Sequence, residues 1–318
     1  MIETIVGALL PIAVILLLGY FAGWHQDFNK DQAGVLNRMV MLYALPLSLF
    51  AGLVQVPIDE LMQEKTLSIS LFIGMIVLYF VVYFIIRYLF KKSISVSALL
   101  ALSIAGPAVP FVGVSVLGDL FGNISTISIS ICSIYMNLIQ VPITIILLSM
   151  DSNNATTGST GPQKSKSSVF WGNVLSAIKE PVVWMPVLGL IFLLLRVSFP
   201  TSIISSLNLL GKATGGVALF ASGIILFSYK VTFNKTVSIS VLAKNILLPL
   251  LMLGILHVFN FTPEIIKESV ITLSIPTASI GVILAIQYKS GEQDISSILF
   301  FSTMLSLVTM GLFMYILS

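Results

Sequence analysis

The sequence predicts an all-α polytopic membrane protein: ten transmembrane helices in two inverted five-helix repeats, with the fourth and ninth helices broken and crossing. Three observations point there. The first is composition: 57% of the 318 residues are hydrophobic and 9% charged, with a mean hydropathy of +1.05. A soluble domain carries about 25% charged residues, so this chain cannot cover a surface that faces water. The second is a pair of apolar stretches interrupted at their centres. Leu99 to Phe121 is broken by Gly106, Pro107, Pro110 and Gly113, and Val270 to Tyr288 by Pro276 and Gly281. The third is repetition. Lys65-Thr66-Leu67-Ser68-Ile69-Ser70 recurs as Lys235-Thr236-Val237-Ser238-Ile239-Ser240, Leu36-Asn37 as Leu207-Asn208, and Leu102-Ser103-Ile104 as Leu273-Ser274-Ile275. The offsets are 170, 171 and 171 residues. Matches in one order at nearly one offset mark an internal repeat.

A spanning helix needs about 20 mostly apolar residues. That ruler gives spans at 4–23, 33–53, 67–90, 96–118, 125–149, 182–196, 204–228, 237–259, 266–288 and 295–317. The first opens with Glu3, without basic residues or a small-residue cleavage site, so it is expected to span and not to be removed. In spans four and nine each proline deletes a backbone donor and clashes with the preceding turn. Non-helical backbone at membrane depth is tolerated only where it lines a cavity or is buried in protein. Span six is short, held between Pro181 and Pro200. Asp151 to Ser168, rich in Ser, Thr, Asn and Gly, cannot bury a core and reads as a flexible linker. Residues 1–150 therefore form one five-helix repeat, 151–169 the linker and 170–318 the second repeat. An odd number of spans per half makes the second half enter from the opposite side.

Orientation follows from Lys and Arg. Lys30, Arg38, Arg87, Lys91, Lys92, Lys164, Lys166, Lys179, Lys230, Lys235 and Lys289 fall on one side, against Lys65, Arg196, Lys212 and Lys267 on the other. This places both termini outside, the linker in the cytoplasm, and the protein in the plasma membrane.

No HExxH, G-x-S-x-G, glycine-rich phosphate loop or Cys/His cluster occurs, so neither an enzyme nor a metal or organic cofactor is expected, nor a nucleic-acid partner. The lone Cys132 excludes a disulfide framework. What the spans hold is sparse polarity, which is costly there and by default functional. Lys244 reads either as a charge partner for an anion or carboxylate, or as a lysine that snorkels to the interface. Lys212 and Arg38, close to helix ends, are expected to snorkel. Asp119 is expected to be the only acid near a spanning segment, at a solvated end, leaving no carboxylate deep in a helix for proton coupling. Asn137 and Gln140 share a helix face and read as substrate contacts or as glue between helices. Interrupted segments at matching places in two halves point to a transporter's binding site, where freed amides at the breaks bind an anion.

Further residues carry a resemblance to a known family. Leu36-Asn37-Arg38 with Ala44-Leu45-Pro46 and Leu49-Phe50, Phe111 and Gly113, Leu120-Phe121-Gly122, Pro181, Gly189-Leu190, Pro200, Leu210-Gly211, Ala218-Leu219-Phe220, Gly223, Lys244 with Pro249, and Pro276-Thr277-Ala278 with Ala285 and Tyr288 resemble the auxin efflux carrier family over essentially the whole chain. The resemblance implies two inverted five-helix repeats crossing at helices four and nine, and secondary transport of organic anions: auxin in plants, malate- or malonate-like acids in bacteria. The short linker is similar to the bacterial members. Ala108 and Ser115 stand where many members carry asparagine and proline.

The expected function is thus a secondary carrier of small organic anions, with amino acids as further candidates, using alternating access around a midplane crossover. Its substrate would lie against Pro107, Ala108, Pro110, Pro276, Thr277 and Ser279, with Asn137 and Gln140 beside it and Lys244 as a charge partner. The coupling ion, proton or sodium, is open, as is a homodimer in the bilayer. Two rivals stand beside it: a non-transporting receptor or scaffold with a carrier fold, and a relative of the bile-acid–sodium symporters, which acids near the crossing would favour.

Overall fold

The computed structural model describes residues 2–59, 64–121, 125–156, 179, 181–229 and 231–317. Among them the structure is helical, with no strand beyond an isolated two-residue bridge. In chain order the helices are α1 (Ile2–Trp24), α2 (Lys30–Val54), α3 (Lys65–Leu89), α4 (Ile94–Ala105), α5 (Val109–Gly113 continuing as Val114–Phe121) and α6 (Ser125–Tyr135, Met136–Gln140 and Val141–Thr156 in succession). There follow α7 (Pro181–Leu194), α8 (Thr201–Gly211), α9 (Ala213–Tyr229), α10 (Lys235–Val258), α11 (Pro263–Ser274), α12 (Ile280–Gln287) and α13 (Glu292–Ile316). Helix α6 carries the chain into the first residues of the expected linker. Residues 157–169 lie outside the described residues, as do Gly122, Lys164, Lys166 and Lys230.

Six helices among the described residues are long and apolar enough to cross a membrane: Lys30–Val54, Lys65–Leu89, Ile127–Asp151, Thr201–Ser228, Lys235–Val258 and Glu292–Ile316. Leu17, Phe21 and Trp24 on α1, Tyr88 and Leu89 on α3, and Tyr315 on α13 are all exposed. Apolar faces of this extent need lipid or a partner to cover them.

Capping fixes several starts. Asn29 and Gln32 form a reciprocal capping box at α2, Ser93 caps α4 and Asn234 caps α10, each side chain answering an orphan amide of a first turn. Long helices then carry wide π-type turns, Ile73–Val77 in α3 and Ala243–Leu247 in α10. One extra residue in the turn breaks the regular ladder, and side chains from other helices meet the groups it leaves.

The helices pack in two groups that meet where α13 lies on α1 and α9. Helix α1 lies along α9, and α7 and α8 along the second half of α2, which itself meets α9. Helix α4 packs against α3 and α6, and α11 against α10 and α13. The α1–α9 contact is close because it is glycine on glycine. A Cβ on Gly19 would strike the backbone of Phe220, and one on Gly223 the backbone of Leu16, Gly19 and Tyr20. Small residues that let backbones approach are how membrane helices gain packing energy without a hydrophobic drive between them.

Candidate functional site

Helix α4 ends at Ala105 and α11 at Ser274, and the extended residues after them pair. Ala108 N donates to Pro276 O at 2.8 Å and Ala278 N to Gly106 O at 2.9 Å, making an antiparallel bridge of Pro107 with Thr277. Pro107 stands opposite Thr277 and Pro276 opposite Ala108, and neither proline needs an amide partner, since neither has an N–H.

Each break leaves a helix-terminal carbonyl without its usual donor, and a side chain from a third helix supplies one. The amide four residues beyond Ala105, Val109 N, turns to Pro107 O; Ala105 O accepts instead from Gln140 Nε2 at 3.3 Å. That same Nε2 donates to Met75 O, in the wide turn of α3, at 2.8 Å. The amide four residues beyond Leu273, Thr277 N, donates to Ser302 Oγ at 3.2 Å; Leu273 O accepts from Lys244 Nζ at 3.1 Å. Ser302 Oγ in turn donates to Asn245 Oδ1 at 2.7 Å, and Asn245 Nδ2 to Ser302 O at 2.8 Å.

Lys244 is therefore no snorkelling residue. It is fully buried, turned inward on the wide turn of α10, and engaged with the end of α11. The amides of the crossing are not the open anion cradle expected of them either: Ala108, Thr277 and Ala278 already donate to protein oxygens.

A cavity of about 240 Å³ opens against this joint. Ala108, Thr277 and Ser279 contribute from the crossing, Gly7, Pro11, Ile12 and Ile15 from α1, and Lys212, Gly216 and Leu219 from the turn before α9 and α9 itself. Thr277 Oγ1 is buried there without a hydrogen-bond partner, and such a group marks a place where an acceptor or donor is wanted. Ser279 precedes α12, whose first turn is the positive end of that helix. Lys212, exposed at a helix end, also lines the site.

Of the residues expected at the site, Ala108, Thr277 and Ser279 line the cavity. Pro107 and Pro276 form the joint beneath it. Gln140 stands behind the joint, holding Ala105; Asn137 and Lys244 are buried and are not among the lining residues. The side chain of Pro110 lies outside the described residues.

Two features were missed in the sequence. One is Lys212. The other is Glu268 on α11, a buried carboxylate that accepts from Ser128 Oγ of α6. The expectation that Asp119 is the only acid near a spanning segment fails here: Glu268 lies close to the start of the ninth span and is buried where Ser128 meets it. A second cavity, of about 550 Å³, is lined by Lys30, Asp31, Gly34 and Arg38 of α2 with Gln287, Lys289 and Glu292. Among the described residues no group of three or more His, Cys, Asp or Glu side chains comes together.

A helical chain with lipid-sized apolar faces, and a polar cavity set against two interrupted helices, defines a multi-pass membrane protein. It belongs to the membrane transport protein family of auxin-efflux type, whose model matches residues 4–314. It is 32% identical, over 99% of its length and 98% of the relative's, to the Escherichia coli protein named "Uncharacterized transporter YfdV". An "Uncharacterized transporter" of Methanothermobacter thermautotrophicus is 24% identical over 97% of both chains. A "Putative malonate transporter" of Rhizobium meliloti is 21% identical over 98% of this chain and 95% of that one. The chain is a transport protein and not an enzyme.

Proposed function

We propose that this chain is a secondary carrier of small organic anions of the malate or malonate type, with amino acids as further candidates. It would work by alternating access around the crossing of α4–α5 with α11–α12. The observation that carries the reading is the cavity on that crossing, where an ammonium group, an unpartnered hydroxyl and a helix start meet between apolar walls. A few convergent polar groups in an apolar recess are what an oriented small ligand needs. The name of the Rhizobium relative supports a carboxylate cargo.

In this reading the ten spans form two inverted repeats, 1–150 and 170–318, joined by a cytoplasmic linker at 151–169. Helices α1, α2, α7, α8 and α9 would be the scaffold, and α4–α6 with α11–α13 the moving core; the packing of α1 on α9 and of α7 and α8 on α2 supports the first set, which α13 meets at α1 and α9. The basic residues around the second cavity support a cytoplasmic side for it, with both termini outside in the plasma membrane in this reading.

The test is counterflow of labelled malate in proteoliposomes, with malonate, succinate, amino acids and indole acetate as competitors. Saturable exchange is expected, and Pro276→Leu in correctly inserted protein is expected to abolish it. Undiminished exchange by that variant would sink the crossing as the site.

Glu268 favours a second element, coupling to a proton or sodium gradient, since an intramembrane carboxylate is a functional group by default. Gradient-driven uptake by the native chain, lost in Glu268→Gln while counterflow persists, is the expected result. Equal uptake with and without either gradient would remove it.

A further inference from the structure

We infer that the cavity at the crossing selects singly charged organic anions, with Lys212 as its specificity-determining charge. The inference rests on the anion-carrier reading and narrows its cargo.

Among the described residues that line the cavity, Lys212 is the one charged side chain. The other cations near the path are committed elsewhere. Lys244 is buried on Leu273 O, and Lys30, Arg38 and Lys289 line the second cavity. Lys212 itself is exposed, and the apolar walls of the cavity are Ile12, Ile15, Leu219 and Leu299. One carboxylate can thus sit between the Lys212 ammonium and the start of α12, with Thr277 Oγ1, which has no partner, as a further donor. A second carboxylate on the same ligand would leave water for an apolar wall without a countercharge, a transfer that is strongly unfavourable.

Size points the same way. The cavity of about 240 Å³ equals on the order of eight water volumes, room for a short acid and a few waters. Gly7 and Gly216 widen it, since a Cβ built on either meets no atom within 4 Å. The class selected is therefore a short monocarboxylate, or a dicarboxylate carrying one proton.

The experiment compares butyrate with succinate, two acids of equal chain length, as thermal stabilisers of the detergent-purified protein. A ligand that binds the native state alone raises the Tm, and at one concentration the tighter ligand raises it more. At neutral pH butyrate is expected to raise the Tm and succinate to do so far less; at mildly acid pH succinate gains. Lys212→Gln is expected to weaken butyrate about tenfold, the scale of one hydrogen bond to a charged group, while Lys212→Arg retains it. Gly216→Val, whose Cβ enters open space, is expected to abolish the shift by either acid.

Equal stabilisation by succinate at neutral pH, or an unchanged butyrate response in Lys212→Gln, overturns the inference. So does malate counterflow that persists while neither acid stabilises the protein; the anion-carrier reading then stands without it. If no acid exchanges in counterflow and none stabilises, the carrier reading itself falls.

Discussion

Asn37 Nδ2 donates to the Ile283 carbonyl at 2.8 Å, a buried bond from α2 to α12 that ties the two groups of helices together. In the carrier reading this bond breaks in each cycle, because scaffold and core slide past one another. Asn37→Ala is expected to lower stability by about 0.5–1.5 kcal/mol, one net hydrogen bond, while counterflow stays level or quickens. Lost transport at an unchanged Tm would mean that Asn37 serves the substrate instead.

Lys244 makes a different prediction. Its Nζ satisfies Leu273 O, which has no helical donor. Lys244→Met keeps the volume and removes the donor, so unfolding should come earlier by about 1–3 kcal/mol, the cost of one unmet buried group. Lys244→Ala adds an empty space and should cost more. Thermal unfolding in detergent reads both, and a neutral Lys244→Met would show that Leu273 O finds another donor.

How far these roles were legible in the sequence differs from residue to residue. The breaks were, because Pro107 and Pro276 remove amides whatever the surroundings. The all-helical membrane class was too, from so few charges. The depth of Lys244 was not: its position in the span is intermediate, and the wide turn that swings it inward has no marker in hydropathy. Glu268 was missed because an average over a span absorbs one acid near its edge, while its burial depends on Ser128, a distant partner. Lys212 lies at a helix end, and only the approach of α1 and the crossing converts that end into a cavity wall.

Gln140 serves two carbonyls with one nitrogen, Met75 O and Ala105 O. Gln140→Glu, identical in shape, would set a carboxylate oxygen against both. It is expected to destabilise by more than Gln140→Leu, which leaves the carbonyls unmet at about 1–3 kcal/mol each. Comparing the two variants by thermal unfolding decides it. Glu equal to native would indicate that the side chain is protonated there or turned away.

Lys30 and Glu292, 3.5 Å apart, join α2 to the start of α13 beside the second cavity. Lys30 is half exposed, so the pair is worth only about 0–1 kcal/mol. Its removal should show in access and not in Tm. A cysteine at Gly34, where a Cβ meets nothing within 4 Å, reports on the cavity, and the buried Cys132 adds no background. Glu292→Gln is expected to speed maleimide labelling of Gly34→Cys several-fold at an unchanged Tm. Equal labelling rates would mean the pair does not hold that end shut.

The bridge of Pro107 with Thr277 is made by main-chain groups alone. Its hydrogen bonds therefore ask nothing of the side chain at 108, which lines the adjoining recess. In the carrier reading, what holds the crossing together is thus separate from what the recess recognises.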